Sequence, residues 1–580
     1  MALLVLGLGS GCAHRSAESA DYAARNRLEP DQKPRPVDAS TPRPPEEGPE
    51  VAVQSERARY ELTPDGRLTY TYELTYRLLR LRDGSSWQAV EASWAPAHQE
   101  APVLSARVVA PDGTVRNHEG LEGEVETLTG RDVLGRPRRR VVARIPGLEA
   151  GALVEQRVQR ISRASPLAAG VADRFYFGMG APVPRSAVEL RVPLGLPVAV
   201  ELRGLEIEPE VAETDTHRTF TYRAGPLSPN PPPSPLLRAD EVPSPYLAFS
   251  TTPSWEPIVR AMRSRLGRAG RSRLRLPVRG RTDAAIRAAV RAVRELANPD
   301  DPERLGPFET VDLAQASRER GGTGWARAAV LADALTKRGL SAAVALARSA
   351  PGEDIRPDLP SLTGFDRAVV KVRRGDRAPL WLDPSSQLAD LLRLPSDLHG
   401  RWALVLDQPG DRPDLERLPP PDPAASTYYE ERRFSLPAYG RARVVELTRA
   451  TGGVAERLRA QVRRSARRRR LVEGYVDNQY GGDLGDLEVS SDWAEPVQVE
   501  LEVLDARAGR VELHRAQVAL SLAPLFGWLP PVVRDAALAP AEPEDDAGRR
   551  RRIAAAYVVT REGPVVLPRP YSAELRFEID

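Results

Sequence analysis

Residues 320–339 read RGGTGWARAAVLADALTKRG, and the reading of the whole chain turns on what this stretch can do. A Gly-rich turn feeds an amphipathic helix that carries Val330, Leu331, Ala334 and Leu335 at helical spacing. Gly339 follows at the position where a left-handed cap ends a helix. The turn Gly321-Gly322-Thr323-Gly324 lacks the trailing Lys-Ser/Thr of a phosphate-binding loop, so it is not a nucleotide site. Two landmarks follow it. Leu359-Pro360-Ser361 leads into the strand-like Phe365-Asp366-Arg367-Ala368-Val369-Val370, and Trp381-Leu382-Asp383-Pro384-Ser385 closes the next strand.

Together the three segments resemble the active-site motifs of the transglutaminase-like superfamily, over about residues 255–400. The resemblance implies an α+β domain with a papain-like core and a cleft shaped for extended peptide. It also implies a Cys–His–Asp triad. The family's Cys opens the helix fifteen residues before its terminal Gly, which here is Gly324, with Arg320, Gly322, Ala328 and Leu331 in register. Its His position reads Arg367, and its W-x-D-P motif keeps Asp383. A thiolate, an imidazole and an orienting carboxylate are all needed for that chemistry. Glycine cannot attack a carbonyl, and arginine holds its proton at any working pH. The only cysteine is Cys12, far from the motif. The resemblance therefore implies a degenerate triad, with Trp325, Arg367 and Asp383 as candidate walls of a ligand cleft. Ser361, Thr323 or Asp383 would have to be recruited by any rival mechanism, and no base stands ready for them.

The vacated position admits two arrangements. Arg367 and Asp383 can form an ion pair that plugs the site, because a buried arginine without a partner is costly. Alternatively, Arg367 can stay free to clasp a peptide carboxylate near the helix N-terminus.

A length of 580 residues implies several domains, and a hydrophobic content of 41% permits real cores. Basic and acidic residues number 83 and 80, for a net charge of +3, which excludes a global field steering the chain to nucleic acid. His14, His98, His118, His217, His399 and His514 are scattered without ligand spacing, so no metal or other cofactor is expected.

Met1 to Cys12, MALLVLGLGSGC, resembles the lipobox of a bacterial lipoprotein signal peptide, although Gly9 stands where Leu is usual. The resemblance implies lipidation of Cys12 and attachment to the outer membrane of the cell envelope. Residues 13–55 are polar and Pro-rich and read as a disordered tether. From residue 56 the chain alternates like β-structure, with Asp65-Gly66 and Asp112-Gly113 as hairpin turns. The landmarks Pro111-Asp112-Gly113, Pro146-Gly147-Leu148 and Ser250-Thr251-Thr252 before Trp255 resemble a bacterial domain of unknown function that commonly precedes transglutaminase-like domains.

The expected fold class is thus multidomain α+β. An antiparallel β-sandwich occupies 56–225, a Pro-rich connector 226–254 and the transglutaminase-like domain 255–410. A β-rich domain with one basic helix, running from Val454 to about Tyr475 through Arg463-Arg464 and Arg467 to Arg470, occupies 411–580. The expected function is non-catalytic: a cell-envelope lipoprotein that binds or scaffolds polypeptide or peptidoglycan peptides. The alternatives are an enzyme using the same cleft without cysteine, and a purely structural protein. The oligomeric state stays open.

Overall fold

The structure is a computed structural model. It describes residues 48–580 apart from 133, 164–169, 231–241, 243, 275–279, 281, 297–307, 309–311, 318–322, 350–352, 407–414, 463–464, 494–495 and 531–568. Cys12, most of the tether, Arg320 to Gly322 and the Arg463-Arg464 pair lie outside the described residues.

Among the described residues the N-terminal region comprises fourteen strands. The first eight are β1 (Val51–Leu62), β2 (Leu68–Leu78), β3 (Ala89–Trp94), β4 (Val103–Val109), β5 (Val115–His118), β6 (Glu124–Arg131), β7 (Pro137–Arg144) and β8 (Leu153–Ser162). The rest are β9 (Ala172–Tyr176), β10 (Ser186–Pro193), β11 (Ala199–Arg203), β12 (Glu210–Glu213), β13 (His217–Ala224) and β14 (Tyr246–Ser250). An eight-stranded sheet runs β12-β13-β10-β1-β2-β8-β4-β5, beside the three-stranded sheets β11-β14-β9 and β3-β7-β6. One core serves all three, because Tyr60, Tyr72, Val90, Phe175 and Phe249 bury their rings and branches in it together. The hairpin turn at Asp65-Gly66 falls where the sequence puts it, with Gly66 at φ +80°.

Three sequence readings need correction here. The first strand begins at Val51, inside the segment read as tether, because Val51 and Val53 already alternate into the core. The sheet is not purely antiparallel, since β1 pairs with β10 in parallel. The connector contains β14, the central strand of its sheet. All five residues of β14 are buried. Leu247 and Phe249 face the N-terminal core, while Tyr246 and Ala248 pack with Leu359 of the next region. A strand covered on both faces reads as a continuous apolar run, which alternation cannot reveal.

Among the described residues the central region opens with four helices, α1 (Glu256–Arg268), α2 (Asp283–Glu295), α3 (Leu313–Ala316) and α4 (Gly324–Thr336). They precede and cover the strands β15 (Ser341–Ala347), β16 (Arg367–Arg374), β17 (Arg377–Leu382), β18 (Trp402–Val405) and β19 (Leu415–Arg417). The sheet order is β17-β16-β15-β18-β19. Thr282 caps α2 by accepting a hydrogen bond from the Ala285 amide at 3.3 Å, and Ile286, Ala289, Val290 and Val293 are buried as the periodicity requires. α4 lies in the same core, with Ala328, Val330 and Leu331 against Val370 and Val372 of β16. Gly339, at φ +76°, turns the chain into β15.

The C-terminal region consists of β20 (Thr427–Ser435), β21 (Gly440–Ala450), β22 (Asp483–Ser490), β23 (Val497–Glu512), β24 (Arg515–Val518) and β25 (Ser572–Ile579). Its sheet runs β22-β23-β21-β20-β25, with β24 on the end of β23. Helix α5 (Gly452–Val462) and helix α6 (Ser465–Tyr480) cover the described part of the basic helix expected here, with residues 463–464 between them outside the described residues, and the short α7 (Ala523–Phe526) follows. Val454, Leu458, Val472 and Tyr475 form their buried stripe. Among the described residues, no helix is long and apolar enough to cross a membrane.

Candidate functional site

Gly324 is the first residue of α4. Thr323 precedes it as the cap, its hydroxyl accepting from the Ala326 amide at 3.0 Å, so that hydroxyl is committed to the helix. A Cβ built on Gly324 would touch Ser385 Cβ and Oγ at 3.4 Å. The position therefore abuts the loop after β17 and has room for a small side chain.

Asp383 directly follows that strand and is fully buried. Its Oδ1 accepts from the Ser385 amide at 2.8 Å, the Ser386 amide at 3.2 Å and the Ser385 hydroxyl. This local turn ties the carboxylate to its own loop. Its Oδ2 accepts from Arg367 Nη1 at 3.3 Å. Arg367, the first residue of β16, also reaches Asp397 Oδ2 through Nη2 at 3.3 Å. Its side chain is 27% exposed, against 0% for Asp383 and 13% for Asp397. One planar guanidinium thus spans two carboxylates, one through each terminal nitrogen.

Two further arginines act on Asp383. Arg294 is buried on α2, and its Nη2 donates to the Asp383 carbonyl at 3.2 Å. Burial pushes its guanidinium down to about 10, with Asp383 opposing the fall. Burial likewise lowers Arg327, one turn into α4, again opposed by Asp383.

Of the residues singled out in sequence, Gly324, Arg367 and Asp383 gather at this point, and Trp325 does not line it. Trp325 is 1% exposed and packs edge-on against Phe308, with ring centroids 5.9 Å apart. It belongs to the core because it starts the inward face of α4. Ser361 does not approach the site as a nucleophile, since its hydroxyl is 2.7 Å from that of Thr363 and accepts the Thr363 amide. His399 directs both ring nitrogens at backbone carbonyls of Leu394, Pro419 and Pro420. Among the described residues no cluster of His, Cys, Asp and Glu could hold a metal ion.

Sequence reasoning missed Asp397 and Arg294. Nothing local marks Asp397, which lies in the turn Ser396–Leu398 and meets Arg367 only through the fold. Arg294 did leave a signal. It sits four residues after Val290 and eight after Ile286, on the apolar stripe of α2, where a charge needs a buried partner. A separate groove of about 610 Å³ opens between the N-terminal and central regions, lined among others by Val198, Thr252, Trp255, Glu256 and Asp358. None of Gly324, Arg367 and Asp383 lines it.

Residues 64–231 match the family model of a domain of unknown function with a solved structure, DUF3857. No curated protein matches the chain in sequence. Among solved structures, the chain is similar to a candidate protease from Parabacteroides distasonis ATCC 8503. The likeness has a TM-score of 0.50 and 13% identity, and it covers 79% of this chain and 93% of that one. At that identity it speaks for the fold alone. An M1 zinc metallopeptidase from Deinococcus radiodurans, 12% identical over 35% of this chain and 42% of that one, aligns with a TM-score of 0.20. Yeast LTA4 hydrolase in complex with bestatin, 10% identical over 36% and 31%, reaches 0.18. Scores that low carry no argument.

Proposed function

We propose that this chain is a non-catalytic, transglutaminase-like protein of the cell envelope, lipidated at Cys12, that binds or scaffolds polypeptide or peptidoglycan peptides. One observation carries the non-catalytic part. Arg367, which the resemblance aligns with the family's proton-accepting His, is paired with Asp383 and Asp397. A group that cannot release its proton cannot act as a base. Gly324 offers no nucleophile beside it. The match of residues 64–231 supports the domain order, since that domain often precedes transglutaminase-like domains.

Two measurements test the reading together. Purified protein is titrated with an extended oligopeptide and with a muropeptide carrying its stem peptide, and the same mixtures are followed for amide cleavage and amine incorporation. Binding without turnover is the expected result. Turnover that disappears in Asp383→Asn would overturn the non-catalytic assignment, and absence of binding to both probes would leave a structural role.

A further inference from the structure

An acidic side chain of the C-terminal region, Glu456, reaches the turn beside the Arg367 site. Glu456 lies on α5 and is 8% exposed. Its Oε1 accepts from the Ser396 amide at 3.0 Å, and its Oε2 lies 3.3 Å from the same amide. Oε2 also accepts from the Ser396 hydroxyl at 2.6 Å. Ser396 opens the turn whose next residue, Asp397, holds Arg367. Among the described residues Glu456 has no ion pair. The charged groups acting on it are Asp397 on the same turn, Arg569 ahead of β25, and Arg294 of α2. Its neighbour on α5, Arg459, is committed elsewhere, to Leu388, Asp390 and Asp492.

We propose that Glu456 is a pH-operated clasp between the C-terminal region and the turn that carries Asp397, and so sets how firmly Arg367 is held. The chemistry is asymmetric. When neutral, Glu456 can share its proton with Ser396 and brings no charge into the contact. When ionised, it places a negative charge in a buried position beside Asp397. Burial pushes the carboxyl up to about 7; Ser396 hydrogen bonds and Arg569 oppose the rise, and Asp397 adds to it. The closed contact thus binds the proton more tightly than the open one, whose carboxyl returns to its ordinary value of 4.5. Its stabilising contribution is complete below about 4.5, falls as pH rises through about 7, and is lost above that. Within that window the open population grows by up to about tenfold per pH unit.

Hydrogen exchange on the full chain, corrected for intrinsic rates, reads this directly. Amides of 396–402 should exchange more readily near neutral pH than near about pH 5, the two ends of the linkage window. The first amides of β16 should follow. Glu456→Gln should remove the pH dependence while keeping the neutral pattern of contacts. A wild-type profile that is flat, or a Glu456→Gln profile as steep as wild type, overturns the proposal. Ser396→Ala provides an independent arm if Glu456→Gln folds poorly. It removes a hydrogen bond that favours the ionised form, so the midpoint should move to higher pH. An unchanged or lowered midpoint would count against the clasp.

Discussion

Arg367→Ala separates a plugged site from an open one. The substitution strips one partner from each of two carboxylates. Asp383 is completely buried and keeps its three hydrogen bonds on Oδ1, but Oδ2 is left facing the gap. Asp397, at 13% exposure, can regain water more easily. Removing one member of a fully buried pair costs about 3–5 kcal/mol, whereas exposed pairs contribute at most about 1 kcal/mol. Arg367 lies between these limits. It is 27% exposed, and both its contacts are long at 3.3 Å. The fields of Arg294 and Arg327 soften the loss further. A cost of about 2 kcal/mol follows, falling mostly on the central region. Urea unfolding of wild type, Arg367→Ala, Asp383→Asn and the double variant closes a thermodynamic cycle. A coupling of at least about 1 kcal/mol is expected. If Arg367→Ala costs under about 0.5 kcal/mol and the coupling vanishes, Arg367 is not plugging the site, and its guanidinium is available to a ligand carboxylate.

The arrangement of the centre is partly legible in the sequence. Spacing located α4 and its glycine stop, because amphipathic period and turn chemistry are local properties, and the motif resemblance located the β16–β17 pair. The resemblance to the transglutaminase-like motifs, not spacing, grouped Gly324, Arg367 and Asp383, which stand at or next to the ends of α4, β16 and β17. Legibility failed where an element depends on a partner remote in sequence. β14 hides as an apolar run because two regions cover it. The parallel pairing of β1 with β10, and of β20 with β25, requires strands more than a hundred residues apart to meet. Asp397 reaches Arg367 across 30 residues, and Glu456 reaches Ser396 across 60. Trp325 was misplaced for a different reason. The resemblance made it a candidate wall of the cleft, but successive residues on a helix point about 100° apart, and this one points inward.

Two further outcomes follow from the same structure. If Cys12 carries lipid, Cys12→Ser should move the protein from the membrane to a soluble fraction, and unchanged membrane association would dismiss lipidation as the anchor. Arg459→Met should loosen the C-terminal region from the central one, and here the structure gives a magnitude. Arg459 is fully buried on α5 and donates to the Leu388 carbonyl at 2.6 Å, Asp390 Oδ1 at 2.7 Å and the Asp492 carbonyl at 3.0 Å. Methionine retains the volume but none of the donors. Asp390 keeps Arg393 at 3.4 Å, so its charge is only partly stranded, while the two carbonyls lose a charged donor each. A loss of about 3 kcal/mol is the sum to expect. It should be felt first at residues 491–493, because Asp492 and Trp493 also hold the central region through Arg291 and Gln387. Limited proteolysis reports it as earlier cleavage near 491–493, with the N-terminal region still intact. Wild-type resistance in Arg459→Met would mean that the Arg291–Asp492 and Trp493–Gln387 contacts suffice, and that the buried guanidinium is not what holds the regions together.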